Sequence, residues 1–171
     1  MRMELIQPFI NAADAVLAES LRSTTRINDL SMEEDVYRRH GVAALITVSG
    51  DIEGRIIFDM EQPVALKVAC RAAGCELADI DESERDQVAR ETICEMANQV
   101  IGNAVTVLND QGYQFKVHPP TLHEDQKGLG GSEDIEALVM CFSTDEGDFF
   151  MNIAMHYNRR RKGEKEMAAA N

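Results

Sequence analysis

Between Phe9 and Leu21 the apolar residues Phe9, Ala13, Val16, Leu17 and Leu21 recur every three or four positions, which predicts an amphipathic helix. Pro8 suits its opening turn, where a missing N–H costs nothing, so the helix is expected from Pro8 to about Arg22. A polar stretch with room for one short strand follows to Arg39. The period then changes to two. Val42, Ala44, Ile46 and Val48 alternate with their neighbours as a half-buried strand does, Ser49-Gly50-Asp51 marks a turn, and Arg55 to Met60 reads as the returning strand of a hairpin. Pro63 opens a second helix carrying Val64, Ala65, Val68 and Ala69, which Gly74 should end.

An acidic lead-in with Asp79, Asp81 and Glu82 precedes the longest periodic run. Ser83 is its expected N-cap, Glu84 and Asp86 favour the positive end of the helix dipole, and the pattern persists to Leu108 before Gly112 stops it. Tyr113, Phe115 and Val117 alternate as a strand ending at Pro119-Pro120, and a loop with Gly128, Gly130 and Gly131 follows. Ala137 to Phe142 and Phe149 to Met155 form a second hairpin across Asp145-Glu146-Gly147. From Asn158 the chain is polar and charged and is expected to be disordered.

Consecutive strands joined by short turns give a largely antiparallel sheet. The fold class is therefore α/β, of the α+β type, with three helices packed on that sheet. Residues 1–157 form one domain and 158–171 a charged tail. Glu4 to Leu17 can be laid without a gap over Glu95 to Leu108, with Glu, Ile, Ala, Val and Leu coinciding, so the domain reads as two helix-plus-hairpin halves.

Composition narrows the function. The chain has 171 residues, 44% hydrophobic and 27% charged, which fits one soluble globular domain. Its net charge of −13 argues against nucleic acid, whose phosphates need a basic surface. An acidic surface suits a partner offering a positive group, or solubility alone. Cys70, Cys75, Cys94 and Cys141 include no C-x-x-C pair and read as reduced core thiols. Met1 leads into a charged, amphipathic segment with no long apolar stretch, so neither a signal peptide nor a membrane span is expected, and the cytoplasm is the expected location by default.

The chemistry concentrates on the long helix. At about 100° per residue, Ala89, Ile93, Ala97, Val100 and Ala104 share one face, which must pack on the sheet. Glu84, Glu91, Glu95, Asn98 and Gly102 fall within a sector of roughly 60° on the opposite side by the same arithmetic. Glu95 and Asn98, three positions apart, are surface neighbours able to touch one external object together. A mid-helix glycine costs about 1 kcal/mol against alanine, and close approach of another backbone at Gly102 would offset that. Ile101 and Val105 border the stripe as an expected apolar rim. The bland alternative is a solvated, Glu-rich face. Asparagine is discordant there, being a poor helix former whose amide both donates and accepts and can hold a water in a set orientation.

Glu95-Met96-Ala97-Asn98 followed by Gly102, on a long helix between two hairpin units, resembles the CheC/CheX/FliY family of chemotaxis phosphatases. The run Gly41 to Met60 is similar to the family's hairpin before its second helix. One such motif rather than two places the resemblance nearest the CheX branch. It implies hydrolysis of the aspartyl phosphate on a response-regulator receiver domain of the CheY kind. Asn98 would orient the attacking water, Glu95 would engage the receiver's active-site lysine, and Glu91, Gly102, Ile101 and Val105 would meet the partner. The resemblance also implies a homodimer, no cofactor or metal of the chain's own, and Mg2+ in the receiver. Glu91 stands where the family often has Asp or Ser, and Pro119-Pro120 only approximates its downstream proline. In the first helix Glu4 and Gln7 stand in the places of Glu95 and Asn98, and that half reads as inactive because Gln7 is longer and Pro8 adjoins it.

Other chemistries fit less well. A cysteine phosphatase needs Arg six positions after Cys, and the four cysteines are followed there by Glu76, Asp81, Val100 and Gly147. Asp79-Ile80-Asp81 lies in an acidic loop and not at the end of an apolar strand. His118 and His123 with Glu124 and Asp125 have loose spacing for a metal. Gly128-Leu129-Gly130-Gly131 lacks the strand-to-helix context of a phosphate loop. Arg159-Arg160-Arg161-Lys162 reads as a solvated basic run. Two further readings stay open: a non-catalytic adaptor that docks a receiver or flagellar-switch component, and a structural domain on which Glu95 and Asn98 are merely exposed.

Overall fold

The computed structural model describes residues 3–34, 37–123 and 136–170. Among the described residues there are four α-helices, α1 (Met3–Leu21), α2 (Gln62–Ala73), α3 (Arg85–Asp110) and α4 (Arg159–Ala169). Seven strands accompany them: β1 (Arg26–Glu34), β2 (Val42–Gly50), β3 (Ile52–Met60), β4 (Phe115–Val117), β5 (Thr121–Leu122), β6 (Glu136–Thr144) and β7 (Gly147–Tyr157). They form one sheet in the order β1-β6-β7-β3-β2-β4, with β5 also on β2, and every pairing is antiparallel.

That strand order carries the internal repeat. Exchanging β1 with β4, β2 with β6 and β3 with β7 reverses the order onto itself, so the halves are related by an approximate two-fold between β3 and β7. Each half lends its single strand to the other half's hairpin, as β1 pairs with β6 and β4 with β2. The halves are interlaced, and neither could bury its sheet edge alone.

Period-two alternation sends Ala44, Ile46, Ile56, Phe58, Met140, Phe142, Met151 and Ile153 to one face, all fully buried together with Phe9 and Leu17 of α1 and Ile93 and Val100 of α3. Each such large side chain contributes about 1.5–3 kcal/mol by leaving water. On the other face Arg55 donates to the Asn152 side-chain oxygen at 2.7 Å, and buried Asp59 accepts from Tyr37 at 2.8 Å and from the Gly41 backbone N–H at 3.0 Å. β3 and β7 meet closely at Gly54, whose φ is +145° and where an added Cβ would lie 2.0 Å from the Ala154 carbonyl oxygen.

Three expectations need correction. Helix α1 starts five residues earlier, at Met3, with Pro8 inside it, because Leu5 and Ile6 are buried to 1% exposure and their burial outweighs the one hydrogen bond Pro8 removes. Ser83 does not cap α3, since Glu82–Glu84 form a short 3-10 turn and Glu84 takes the N-cap position. The tail is helical, which makes four helices and not three: the Asn158 side chain accepts from the Arg160 N–H at 3.1 Å, and Lys165 reaches Asp51 at 2.7 Å. The glycine loop at 128, 130 and 131 lies outside the described residues.

Candidate functional site

α3 is 26 residues long and packs against α1, α2 and the sheet. Its inner line behaves as the periodicity predicts. Ala89, Ile93, Ala97 and Ala104 are fully buried and Val100 is 1% exposed. Its outer line carries Glu91, Glu95, Asn98 and Gly102, all exposed, so the helix alone brings the predicted stripe together on one surface.

Each carboxylate is steadied by a glutamine one turn away. Gln87 donates from Nε2 to Glu91 Oε1 at 2.8 Å, and Gln99 donates from Nε2 to Glu95 Oε1 at 3.3 Å. Residue choice alone did not single out these two glutamines, although their i,i+4 spacing was a readable signal. A carboxylate with one such donor keeps acceptor capacity for a lysine. Among the described residues nothing hydrogen-bonds the Asn98 side-chain amide, which leaves its carbonyl and NH2 both available.

Gly102 has no internal reason to be glycine. An added Cβ there would meet nothing within 4 Å, so the missing side chain serves no contact inside this chain. Val105 is half-buried beside the core, whereas Ile101 is only 6% exposed and packs within it. The expected apolar rim is corrected accordingly at Ile101. A helix wedged between two others buries a wider arc than one resting on a sheet alone, and that arc takes in Ile101.

Cys94, next to Glu95, is half-buried, and burial raises its thiol above the ordinary value, so it is a poor nucleophile. The site offers an amide and carboxylates and no nucleophile of its own. Such a set can orient and pair, and it needs an electrophile supplied from outside.

The other candidates do not assemble. His118 Nε2 lies 3.2 Å from Ser49 Oγ, while buried His123 lies 3.4 Å from the Tyr37 carbonyl; Glu124 and Asp125 fall outside the described residues. Among the described residues no group of three His, Cys, Asp or Glu side chains could hold a metal ion. Asp79 accepts the Glu76 N–H at 2.9 Å and so closes a 3-10 turn. Arg159 and Arg160 are exposed on α4. No helix among the described residues is long and apolar enough to cross a membrane. In α1, Glu4 and Gln7 are exposed, but Glu4 accepts from the Tyr157 hydroxyl and Gln7 donates to Asn11 at 2.8 Å.

Known proteins agree with this architecture. Residues 42–142 match the family model described as chemotaxis phosphatase CheX. The CheY-P phosphatase CheX of Thermotoga maritima is 24% identical over 116 residues, covering 67% of this chain and 72% of that one. The crystal structure of the CheX-CheY-BeF3-Mg complex from Borrelia burgdorferi matches at 30% identity with a TM-score of 0.67, covering 91% of this chain and 99% of that one. A CheC-like superfamily protein from Shewanella matches with a TM-score of 0.74 at 22% identity, over 91% of this chain and 99% of that one, and so supports the fold. The family model alone spans more than half of the sequence, and the chain belongs to the CheX family of chemotaxis phosphatases.

Proposed function

We propose that the chain is a phosphatase for the aspartyl phosphate of a CheY-like response-regulator receiver domain, working in the cytoplasm. The observation that carries this reading is the open Asn98 amide one helical turn from the Glu95 carboxylate, both on a surface that a second protein can reach. The relatives named as a CheY-P phosphatase and as a CheX-CheY complex supply the partner class.

The receiver's lysine pairs with Glu95 and sets the register of docking, with Glu91 adding negative potential beside it. Gly102 lets the receiver backbone approach the helix. The Asn98 side-chain oxygen accepts a hydrogen bond from a water and aligns its lone pair with the phosphorus, opposite the aspartyl oxygen. The new P–O bond forms as the acyl P–O bond breaks, which returns the receiver carboxylate and releases inorganic phosphate. Mg2+ would belong to the receiver's own pocket in this scheme and would supply charge neutralisation for the phosphoryl group there. A hundredfold acceleration of an already labile acyl phosphate needs about 2.7 kcal/mol, within reach of orientation alone.

A homodimer is part of the proposal. Among the described residues β1 ends the sheet, and its Ile27, Leu30 and Met32 are 49%, 54% and 48% exposed, an apolar strip on the edge strand that a second copy could cover.

The test mixes a radiolabelled phosphoreceiver with substoichiometric protein. Turnover of many receivers per chain is expected. A complex that forms without faster loss of label would favour an adaptor, and neither binding nor loss would leave a structural domain.

A further inference from the structure

Two of the four cysteines meet at the end of α2. The helix closes on Gly74, which is left-handed at φ 67° and ψ 32° and donates its N–H to the Cys70 carbonyl. The Cys75 N–H donates to that same oxygen at 3.0 Å. In such a cap the residue after the glycine folds its side chain against the one at the start of the helix's last turn, normally as an apolar contact. Here both positions are cysteine, and their thiols are free.

The pair also borders open space, through Cys75. Cys70 and Cys75 line an open cleft of about 570 Å³ together with Leu66, Lys67, Arg71 and Glu146. Cys75 is half-exposed, and Cys70 is 8% exposed. Burial raises the Cys70 thiol, and a side-chain hydrogen bond with Cys75 and the charges of Glu76 and Asp79 raise it further. Exposure therefore makes Cys75 the thiol that a solvent-borne oxidant reaches first, with Cys70 sheltered beside it.

We propose that Cys70 and Cys75 form a redox dithiol that closes to an intramolecular disulfide when a hydroperoxide reaches the cleft. The Cys75 thiolate attacks the distal peroxide oxygen, the O–O bond breaks, and water or an alcohol leaves, giving Cys75 sulfenic acid. The Cys70 sulfur then attacks the Cys75 sulfur, the S–O bond breaks, and water leaves with the Cys70 proton. Two thiols are oxidised by two electrons and one peroxide is reduced. A small-molecule dithiol reverses the step by exchange. The bond would pin the cap of α2, which packs on α3, without involving Glu95 or Asn98.

The chain itself provides a clean readout. Trypsin cleaves after Lys67, Arg71 and Arg85, so the two cysteines fall in separate peptides, 68–71 and 72–85. The full chain is treated with stoichiometric hydrogen peroxide, its remaining thiols are alkylated, and it is digested without reductant. The expected product is a linked 68–71 and 72–85 pair, lighter by about 2 Da than the sum of the free peptides and separated by dithiothreitol. In Cys70→Ser, Cys75 should be trapped as a sulfenic acid by dimedone, while in Cys75→Ser, Cys70 should stay alkylatable at the same dose. Recovery of the peptides unlinked, with both thiols alkylated or with Cys75 over-oxidised beside an alkylated Cys70, overturns the proposal. So does linkage of either cysteine to Cys94 or Cys141.

Discussion

Tyr157 donates its phenolic hydrogen bond to Glu4, and thereby occupies the carboxylate of α1 that corresponds to Glu95 of α3. The Tyr157 hydroxyl also lies 2.9 Å from that of Tyr113. The two halves thus share a backbone plan and differ in what their outward carboxylates are free to meet. Glu95 accepts from Gln99 at 3.3 Å, an exposed contact that a lysine could displace.

The same contact has a pH signature. Burial first, and then the Glu4 hydrogen bond, push the Tyr157 hydroxyl well above its ordinary value. A group that holds its proton more tightly when folded contributes fully below its unfolded value, near pH 10, and loses that contribution as pH rises past it. Thermal unfolding between neutral and strongly alkaline pH should show a falling Tm that Tyr157→Phe partly flattens. The same variant should leave dephosphorylation unchanged at neutral pH. An alkaline limb identical in both proteins would contradict the Tyr157–Glu4 hydrogen bond.

Glu95→Gln removes the charge and keeps the shape. Receiver binding should weaken at least tenfold, about 1.4 kcal/mol, as expected for a lost charge-assisted contact. At saturating receiver the rate should recover most of its wild-type value, because Asn98 is intact. A loss confined to the saturated rate would move Glu95 from docking to chemistry.

Gly102→Ala should act in opposite directions on stability and function. The added Cβ meets nothing within 4 Å, and alanine is the better helix former by about 1 kcal/mol, which raises Tm by roughly 2–4 °C in a protein of this size. Receiver turnover should fall, since the methyl group stands where the partner's backbone must come close. A stabilised variant with undiminished turnover would remove Gly102 from the interface.

Gly54→Ala makes the contrast. Its Cβ would lie 2.0 Å from the Ala154 carbonyl oxygen on a backbone at φ +145°. The clash falls where β3 and β7 join the two halves, so loss of soluble folded protein is expected, read by circular dichroism and denaturant midpoint.

How much of this was legible in sequence follows from where local pattern decided the outcome. The inner face of α3 was readable because five positions at helical spacing meet one continuous core. The hairpins were readable because apolar runs of strand length flank the short turns at Ser49-Gly50-Asp51 and Asp145-Glu146-Gly147. β1 was legible only as room for a short strand, and its nine-residue extent was not, since a register shift between Ile27 and Asp29 breaks the period of two and spaces Ile27, Leu30 and Met32 unevenly. Pro8 misled for a related reason: a proline marks a helix start only when nothing before it is worth burying, and Leu5 and Ile6 are. The tail looked unstructured on charge, while the Asn158 side chain that caps it is itself held by Glu53 at 2.7 Å and Lys165 pairs with Asp51, tertiary neighbours that composition does not reveal. Ile101 was misplaced because helical arithmetic gives angles but not how many helices crowd around α3. The stripe itself needed no tertiary information. Glu91, Glu95, Asn98 and Gly102 line up through the helix period alone.

The central claim rests on one side chain. The most direct measurement is the single-turnover loss of phosphate from a labelled receiver with wild type and with Asn98→Ala, alongside the affinity of each for the receiver. The account predicts a fall of at least about 100-fold in the bound-state rate, with folding and affinity close to wild type. An Asn98→Ala variant that binds and dephosphorylates as fast as the parent would contradict it.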